Sequence, residues 1–462
     1  MNQYPAWVGS SLFCKKKGEM SEDAARLGDD LNRLGRVQSI PGNPNPKTPD
    51  SDMQDLLRLS GIVPPQTFQR CSAPDSAAYK SISKFRMAPP GVIDMHRWRR
   101  TWDMMQQFYR PHLNGSRILS NERISRDVDE TGSPGWPWCF KYGSKVDFYD
   151  ENLEYVNWVW DEAFLQGWTT FTQVTVKSEL RELEKILSNS LRTISPVCAV
   201  HARIGQRLFR DMNCKLRDSN LQLCTGIGLR PFGGGTHWLA KNWAKHKLAF
   251  SGDLKACDST LIELFLMALA EFKFSMLAPE DQTPMNRLRI LQYYMQLIKT
   301  PLVMPDGWVF EKGPFGAGGN LTGQVCTAVD NEFWAKFLIF WAVCEEPTEG
   351  LRSHEARCAH MGNADDITWS QDDPDDPKFN PRKFAWICKR DWGVTINSTD
   401  WDMVPWYEIR FLGFGLEYDP DYQMFFHSPD TERILCSLQW SKGQRHPVRE
   451  LARVNNLRVA TW

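Results

Sequence analysis

Two adjacent carboxylates, Asp365 and Asp366, sit in the run His360-Met361-Gly362-Asn363-Ala364-Asp365-Asp366-Ile367-Thr368-Trp369. Short apolar-alternating flanks around an Asn-containing turn predict a β-hairpin with the acids at its tip. Like charges side by side repel, so a cation is their natural partner, and oxygen-only ligands suit Mg2+ or Mn2+. Asp372-Asp373 and Asp375-Asp376, just downstream, read as solvated turns. Far upstream, the apolar run from Leu248 ends in Asp253, and Asp258 follows five residues later. A strand end, a turn and an apolar helix from Leu261 would project Asp253 toward whatever faces the sheet. Asp258 or Ser259 could also serve as a helix N-cap.

Other stretches carry groups suited to phosphate and sugar. Lys177, Arg181 and Lys185 are spaced four apart, so a helix would put them on one face and an extended chain would make a basic ribbon. Arg192 follows. Such cations suit a triphosphate or its leaving pyrophosphate, although the interleaved Glu179, Glu182 and Glu184 equally allow a salt-bridged surface helix. The Gly-dense run Gly313–Gln324 feeds a helix-like stretch, Val325–Cys344, in which Thr327 and Asn331 share a face. That face could hold a nucleotide sugar, or the residues could be ordinary polar caps. Arg203, Arg207, Arg210, Lys215 and Arg217 make His201–Asp218 either a phosphate-backbone face or a solvated helix. Thr131–Trp138 reads as a stiff loop that a partner backbone can approach. Phe411–Glu417 reads as a short strand or hairpin. The Gly-rich segment Gly226–Thr236 lacks the Gly-Lys-Ser/Thr of a P-loop.

At 462 residues the chain can form one large multi-lobed unit or two to three domains. A formal net charge of −1 gives no global electrostatic case for nucleic acid, though it leaves room for a local basic channel. A hydrophobic content of 42% with 20 Trp argues for a packed globular protein. Twelve Cys without a C-x-x-C pair argue against a zinc ribbon or thioredoxin-like centre and fit a reducing compartment. No apolar core follows Met1, so no signal peptide is expected. The most apolar runs, Leu261–Leu277 and Phe333–Cys344, are interrupted by Glu263, Glu271, Lys273 and Lys336, and are expected as buried helices with no transmembrane segment. Weak helical periodicity spans Ala24–Leu34, the proline-rich stretch Arg36–Gln66 reads as a linker or strap, and a helix over Phe384–Val394 should end at Gly393. The tail carries Arg433, Lys442, Arg445, Arg449, Arg453 and Arg458.

The order of these motifs resembles the RNA-directed RNA polymerases of positive-strand RNA viruses, of the picornavirus- and astrovirus-like kind, from about residue 130 to 418. Asp253 and Asp258 match the family's D-x-x-x-x-D. Thr322, Gly323, Thr327 and Asn331 match its S/T-G-x-x-x-T-x-x-x-N. Asp365 and Asp366 match the acids of its G-D-D. Lys177, Glu179, Arg181, Lys185 and Arg192 look like the fingers motif over the incoming triphosphate. Ser133-Pro134-Gly135-Trp136-Pro137 looks like the loop where the template enters, and Phe411-Leu412-Gly413-Phe414 like the hairpin that grips the primer strand. The chain departs from the pattern in four places. Ala364 stands where the family usually has Gly, so either the tip strains into positive φ or Asn363 supplies the left-handed residue. Thr322 replaces the commoner Ser. No Lys lies near Trp401 where picornavirus-like enzymes place a candidate general acid, Lys389 being the nearest. The chain after the hairpin is short for a thumb.

The resemblance implies an α+β right hand of fingers, palm and thumb, with an antiparallel palm sheet backed by helices. It divides the chain into an N-terminal strap (1–66), fingers (67–247), palm (248–261), a fingers insertion (262–312), palm (313–418) and a short thumb (419–462). It implies two-metal transfer of nucleotides from NTPs to an RNA 3′-hydroxyl, with Asp253, Asp365 and Asp366 as catalytic and metal residues and Mg2+ or Mn2+ as cofactor. Asp258, Thr322, Thr327, Asn331, Lys177, Lys185 and Arg192 would bind NTP; an Asp258–Asn331 pair, helped by Thr322, would read the ribose 2′-hydroxyl. Ser133, Gly135, Gly323, Phe411 and Leu412 would bind RNA. The expected partners are template and product RNA, NTPs and other viral replication proteins, in a replication complex in the host cytoplasm. Two other readings fit the same motifs: a reverse transcriptase, and an inactive polymerase-like RNA-binding scaffold. A two-metal nuclease would leave the Gly-rich loop and its Thr/Asn face without a role.

Overall fold

The computed structural model describes residues 21–440 apart from 46, 87–90, 232–233 and 313–317. Gly313–Ala317 of the Gly-dense loop, and the basic tail from Lys442 onward, lie outside the described residues.

A five-stranded antiparallel sheet organises the middle of the molecule. Its centre is β1 (Leu248–Leu254), flanked on one side by the hairpin β2 (Ala359–Asn363) and β3 (Asp366–Gln371). The other edge of β1 is covered at its two ends by short strands, β4 (Ile396–Asn397) and β5 (Val404–Pro405). Period-2 alternation gives this sheet two characters. Phe250, Ile367 and Trp369 point into the main core. Asp253, Ser251 and Ala249 share the opposite face with their cross-strand partners Asp366, Thr368 and Ser370.

Helices back the core face. They are α1 (Met95–Leu113), α2 (Ala199–Asp218), α3 (Glu263–Ser275), α4 (Pro284–Lys299), α5 (Thr327–Val343) and α6 (Pro381–Trp392). Helix α5 is buried nearly all round. Its Phe337 is ringed by Trp98, Trp102, Phe265, Trp334, Trp341 and Trp392 at centroid separations of 5.2 to 6.1 Å. This is where many of the tryptophans are spent, each burying a large apolar area. Of the charges that interrupt the apolar runs, the two lysines lie inside: Lys273 meets Asp330 at 2.6 Å with both side chains fully buried, and Lys336 lies one turn from the buried Glu332. No helix among the described residues is long and apolar enough to cross a membrane.

The N-terminal region differs from the sequence expectation. The helix spans Glu22–Asp30 rather than 24–34, and Arg33–Arg36 then pairs as a strand with Trp308–Glu311. The proline-rich strap contains a helix, Ser51–Leu59, capped by the Asp50 carboxylate. Its lacing is wide. Val37 N–H donates to Gly307 O and Asp50 N–H to Gln439 O, and Trp136 Nε1 donates to Gln38 O. Helix α6 ends at Gly393 in the left-handed conformation, as its sequence predicts. Near the C-terminal end, β6 (Phe414–Asp419) pairs with β7 (Met424–Pro429), so this hairpin runs across position 419, the expected start of the thumb.

Candidate active site

The hairpin β2–β3 turns through Ala364 and Asp365, with Asn363 paired to Asp366. Asp366 stands directly across from Asp253 on β1, and Leu254 N–H donates to Asp365 O at 2.9 Å. In such a non-hydrogen-bonded pair the Cα atoms lie about 4.5 Å apart with side chains on one face. Ala364, not Asn363, takes the left-handed conformation, at φ +60°, which costs an L-residue with a side chain roughly 1–2 kcal/mol. The Glu332 carboxylate of α5 accepts its N–H at 3.0 Å.

The three acids are half-buried. Burial, then the Asp365 charge, pushes the Asp253 carboxyl up. Burial also raises Asp365. Burial together with the charges of Asp365 and Asp253 pushes Asp366 up to about 7. Arg192 is the cation that opposes the rise at all three. An oxygen-only cluster that resists carrying its own charge suits a hard divalent cation. Among the described residues no three His, Cys, Asp or Glu side chains are already gathered as a metal cage. Asn397 Nδ2 donates to Asp253 at 3.4 Å.

Beyond β1 the chain turns through Ala256, and Asp258 falls inside a one-turn helix, Cys257–Thr260, rather than capping one. Its carboxylate is gripped by Lys84 Nζ at 2.6 and 2.8 Å and accepts from Thr322 Oγ1 at 3.3 Å. Asp258 and Asn331 are not joined directly. Asn320 stands between them, its N–H on Asp258 O and its Nδ2 on Asn331 Oδ1 at 2.8 Å. Gln324 then links Asn320 to Asp330 and so to Lys273. Thr327 Oγ1 donates back to Leu321 O at 2.8 Å and accepts from Gly323 N–H, closing the loop below the exposed Gly323.

The basic segment is neither one helix face nor a continuous ribbon. Thr175–Val176 and Leu180–Glu182 are extended, and Leu183–Leu187 forms a short helix. The strand pairing of Thr175–Val176 with Thr193–Ile194 draws Lys177 and Arg192 together, both against Glu179, while Lys185 is exposed on the short helix. Helix α2 is not a phosphate face at its inner end. Arg203 is buried against Glu130 at 2.8 Å, and Arg207 lies over the Trp160 ring at 3.7 Å. Gly135, at φ +69°, packs tightly against Val197 and Cys198, where a Cβ would come within 3.0 and 3.1 Å of their backbone, and Ser133 is exposed beside it. Phe411 is buried against Trp243, and Leu412 and Gly413, both at positive φ, form the exposed two-residue tip between Phe411 and Phe414.

The profile of the family described as viral RNA-dependent RNA polymerase matches residues 65–461. The chain belongs to that family. It is 27% identical over 375 residues to the non-structural polyprotein 1AB of Mink astrovirus 1, covering 74% of this chain and 25% of the relative. It is also 27% identical over 236 residues to the genome polyprotein of Watermelon mosaic virus II (isolate USA), covering 51% of this chain and 22% of the relative. The chain thus spans a quarter or less of the length of these curated relatives. Among solved structures, a Sicinivirus 3Dpol RNA dependent RNA polymerase superposes with a TM-score of 0.61 over 92% of this chain and 94% of that one, at 15% identity. That likeness is one of fold, the right-handed polymerase fold. Sequence reasoning about this family member missed Lys84, Asn320, Glu332 and Asn397. Asn320 alone had a local signal, as a polar residue within the Gly-dense run.

Proposed function

We propose that the chain extends an RNA 3′-hydroxyl with ribonucleotides taken from NTPs on an RNA template, and so replicates a viral RNA genome. The observation that carries the reading is the strand register that sets Asp253 opposite Asp366, with Asp365 in the adjoining turn and Arg192 acting on all three. Asp253 and Asp365 would hold the divalent ions, with Asp366 in support. Bound there, such ions supply charge stabilisation to the leaving phosphates and lower the pKa of the attacking hydroxyl. Arg192, with Lys177 beside it at Glu179 and Lys185 further out, offers positive charge to the triphosphate. Asn331, turned by Asn320, keeps its own Nδ2 for a sugar oxygen. Asp258 and Thr322 stand close by for the 2′-hydroxyl, which a deoxyribose cannot supply. Ser133, Gly135, Gly323, Phe411 and Leu412 would follow the RNA strands, with fingers, palm and thumb lobes shaping the channel around them. Other viral replication proteins, in a complex in the host cytoplasm, are the expected company.

The test is purified chain with a primed RNA template, four NTPs and Mg2+ or Mn2+, beside a D365A variant. Template-dependent extension by the wild type alone is expected. No extension with either ion, extension by D365A, or a preference for dNTPs would each overturn the assignment.

A further inference from the structure

Behind the catalytic hairpin the core holds an ionisable side chain for which the reading above has no use. Glu332 lies on α5, fully buried, one residue past Asn331. One of its carboxylate oxygens accepts the Ala364 N–H at 3.0 Å. Both oxygens crowd the backbone of Gly362 so closely that a Cβ there would sit 2.8 and 2.9 Å from them. Lys336, one helical turn further on and equally buried, supplies the compensating charge. The other side of Gly362 is fixed as well, through Gly226 N–H to Gly362 O at 2.6 Å and Gly362 N–H to Cys224 O at 3.1 Å.

These contacts converge on the stretch just before Asp365 and Asp366. Ala364 has a conformation that residues with a Cβ seldom adopt, and its N–H points away from the strand ladder. A buried N–H without an acceptor is strongly disfavoured, so the turn keeps this shape only while an acceptor stands there. We infer that Glu332 is a positioning residue for the polymerase reaction: it holds Ala364 left-handed and thereby fixes where Asp365 presents its carboxylate relative to Asp253. Lys336 acts behind it, making a carboxylate tolerable at that depth. Glu332 touches no substrate; it acts through the turn.

The inference rests on the polymerase reading for its kinetic arm only. Removing Glu332 alone would strand the Lys336 ammonium in the core and risk the fold, so the test compares E332Q/K336M with E332L/K336M. Both lack the buried charges, and they differ in the acceptor oxygen. Each is also made with A364G, which lets the turn stay left-handed without help. The readouts are kcat and KM for NTP on primed RNA, melting temperature, and residue-resolved hydrogen exchange at Ala364. Relative to E332Q/K336M, E332L/K336M should lose on the order of 10- to 100-fold in kcat, the penalty of a small misplacement of reacting groups. Its KM and melting temperature should match its partner's, its Ala364 amide should exchange faster, and A364G should restore most of kcat. Equal kcat in the two double variants, a loss that tracks melting temperature, or no recovery with A364G would overturn the inference. Should the wild type fail to add nucleotides, the polymerase reading falls. The exchange comparison still decides the inference: equal Ala364 exchange refutes the clamp and faster exchange in E332L/K336M supports it.

Discussion

Substituting Asp366 by Asn should make the metal-free protein more stable while removing function. Asn keeps the shape of the side chain but carries no charge at any pH. In the wild type, burial and the neighbouring charges of Asp365 and Asp253 lift the Asp366 carboxyl from its ordinary 3.8 to about 7. A folded-state pKa above the unfolded value means the group favours the fold at low pH, and that this contribution is lost as pH rises from about 4 through about 7. That rise corresponds to about 4 kcal/mol. The side chain is only half-buried, so screening by solvent brings the figure to about 2 kcal/mol. For 462 residues the unfolding entropy is about 1 kcal/mol per degree, so D366N should melt about 2 °C above wild type at pH 8. The gap should narrow as pH falls and close near pH 4. Thermal melts in chelator across that range measure it. Mg2+ or Mn2+ should then raise the wild-type melting point more than that of D366N. Parallel pH profiles for the two proteins, or a D366N that melts lower at pH 8, would refute the account of three mutually repelling acids.

Two further outcomes follow from contacts elsewhere in the site and core. Asn320→Ala frees the Asn331 amide to rotate, and losing one orienting hydrogen bond should cut discrimination between NTP and dNTP by about tenfold; single-nucleotide addition with matched NTP and dNTP measures the ratio. His201 and His354 are buried, and burial pushes both down to about 3. A depressed folded-state value means their contribution is complete above the unfolded value near 6.5 and is lost as pH falls toward 3. Together they should remove about 2.7 kcal/mol of stability per pH unit between pH 6 and 4, read as the change in urea midpoint between those pH values.

The hairpin that carries Asp365 and Asp366 was legible because its signal is local: alternation around a short turn fixes both strands and the position of the acids between them. The strand carrying Asp253 and the buried helices were legible for the same reason. Which residue faces Asp253 was not, because register between distant strands is set by the core residues Phe250, Ile367 and Trp369 packing together. The basic segment was left open between helix and ribbon because four-residue spacing suits either, and the chain mixes the two: short strands at Thr175–Val176 and Leu180–Glu182, then a helix at Leu183–Leu187. The expected Asp258–Asn331 pair is not joined directly, because Asn320 comes between the two. Whether two polar groups meet or accept a third between them depends on side-chain geometry that spacing does not encode. Lys84 reaches Asp258 from a part of the chain with no local hint of a role. Arg203 looked like part of a charged face and proved to be a core cation, because Glu130 comes to it from another element.

The strap ahead of residue 65 lies outside the region matched by the family profile, yet it is tied to Gly307, to Trp136 and to Gln439. Like a cord threaded through separate panels, it holds together segments that lie far apart in the chain. Substitutions confined to a stretch that an alignment of the acid-bearing motifs would pass over would therefore loosen three segments far apart in the chain at once.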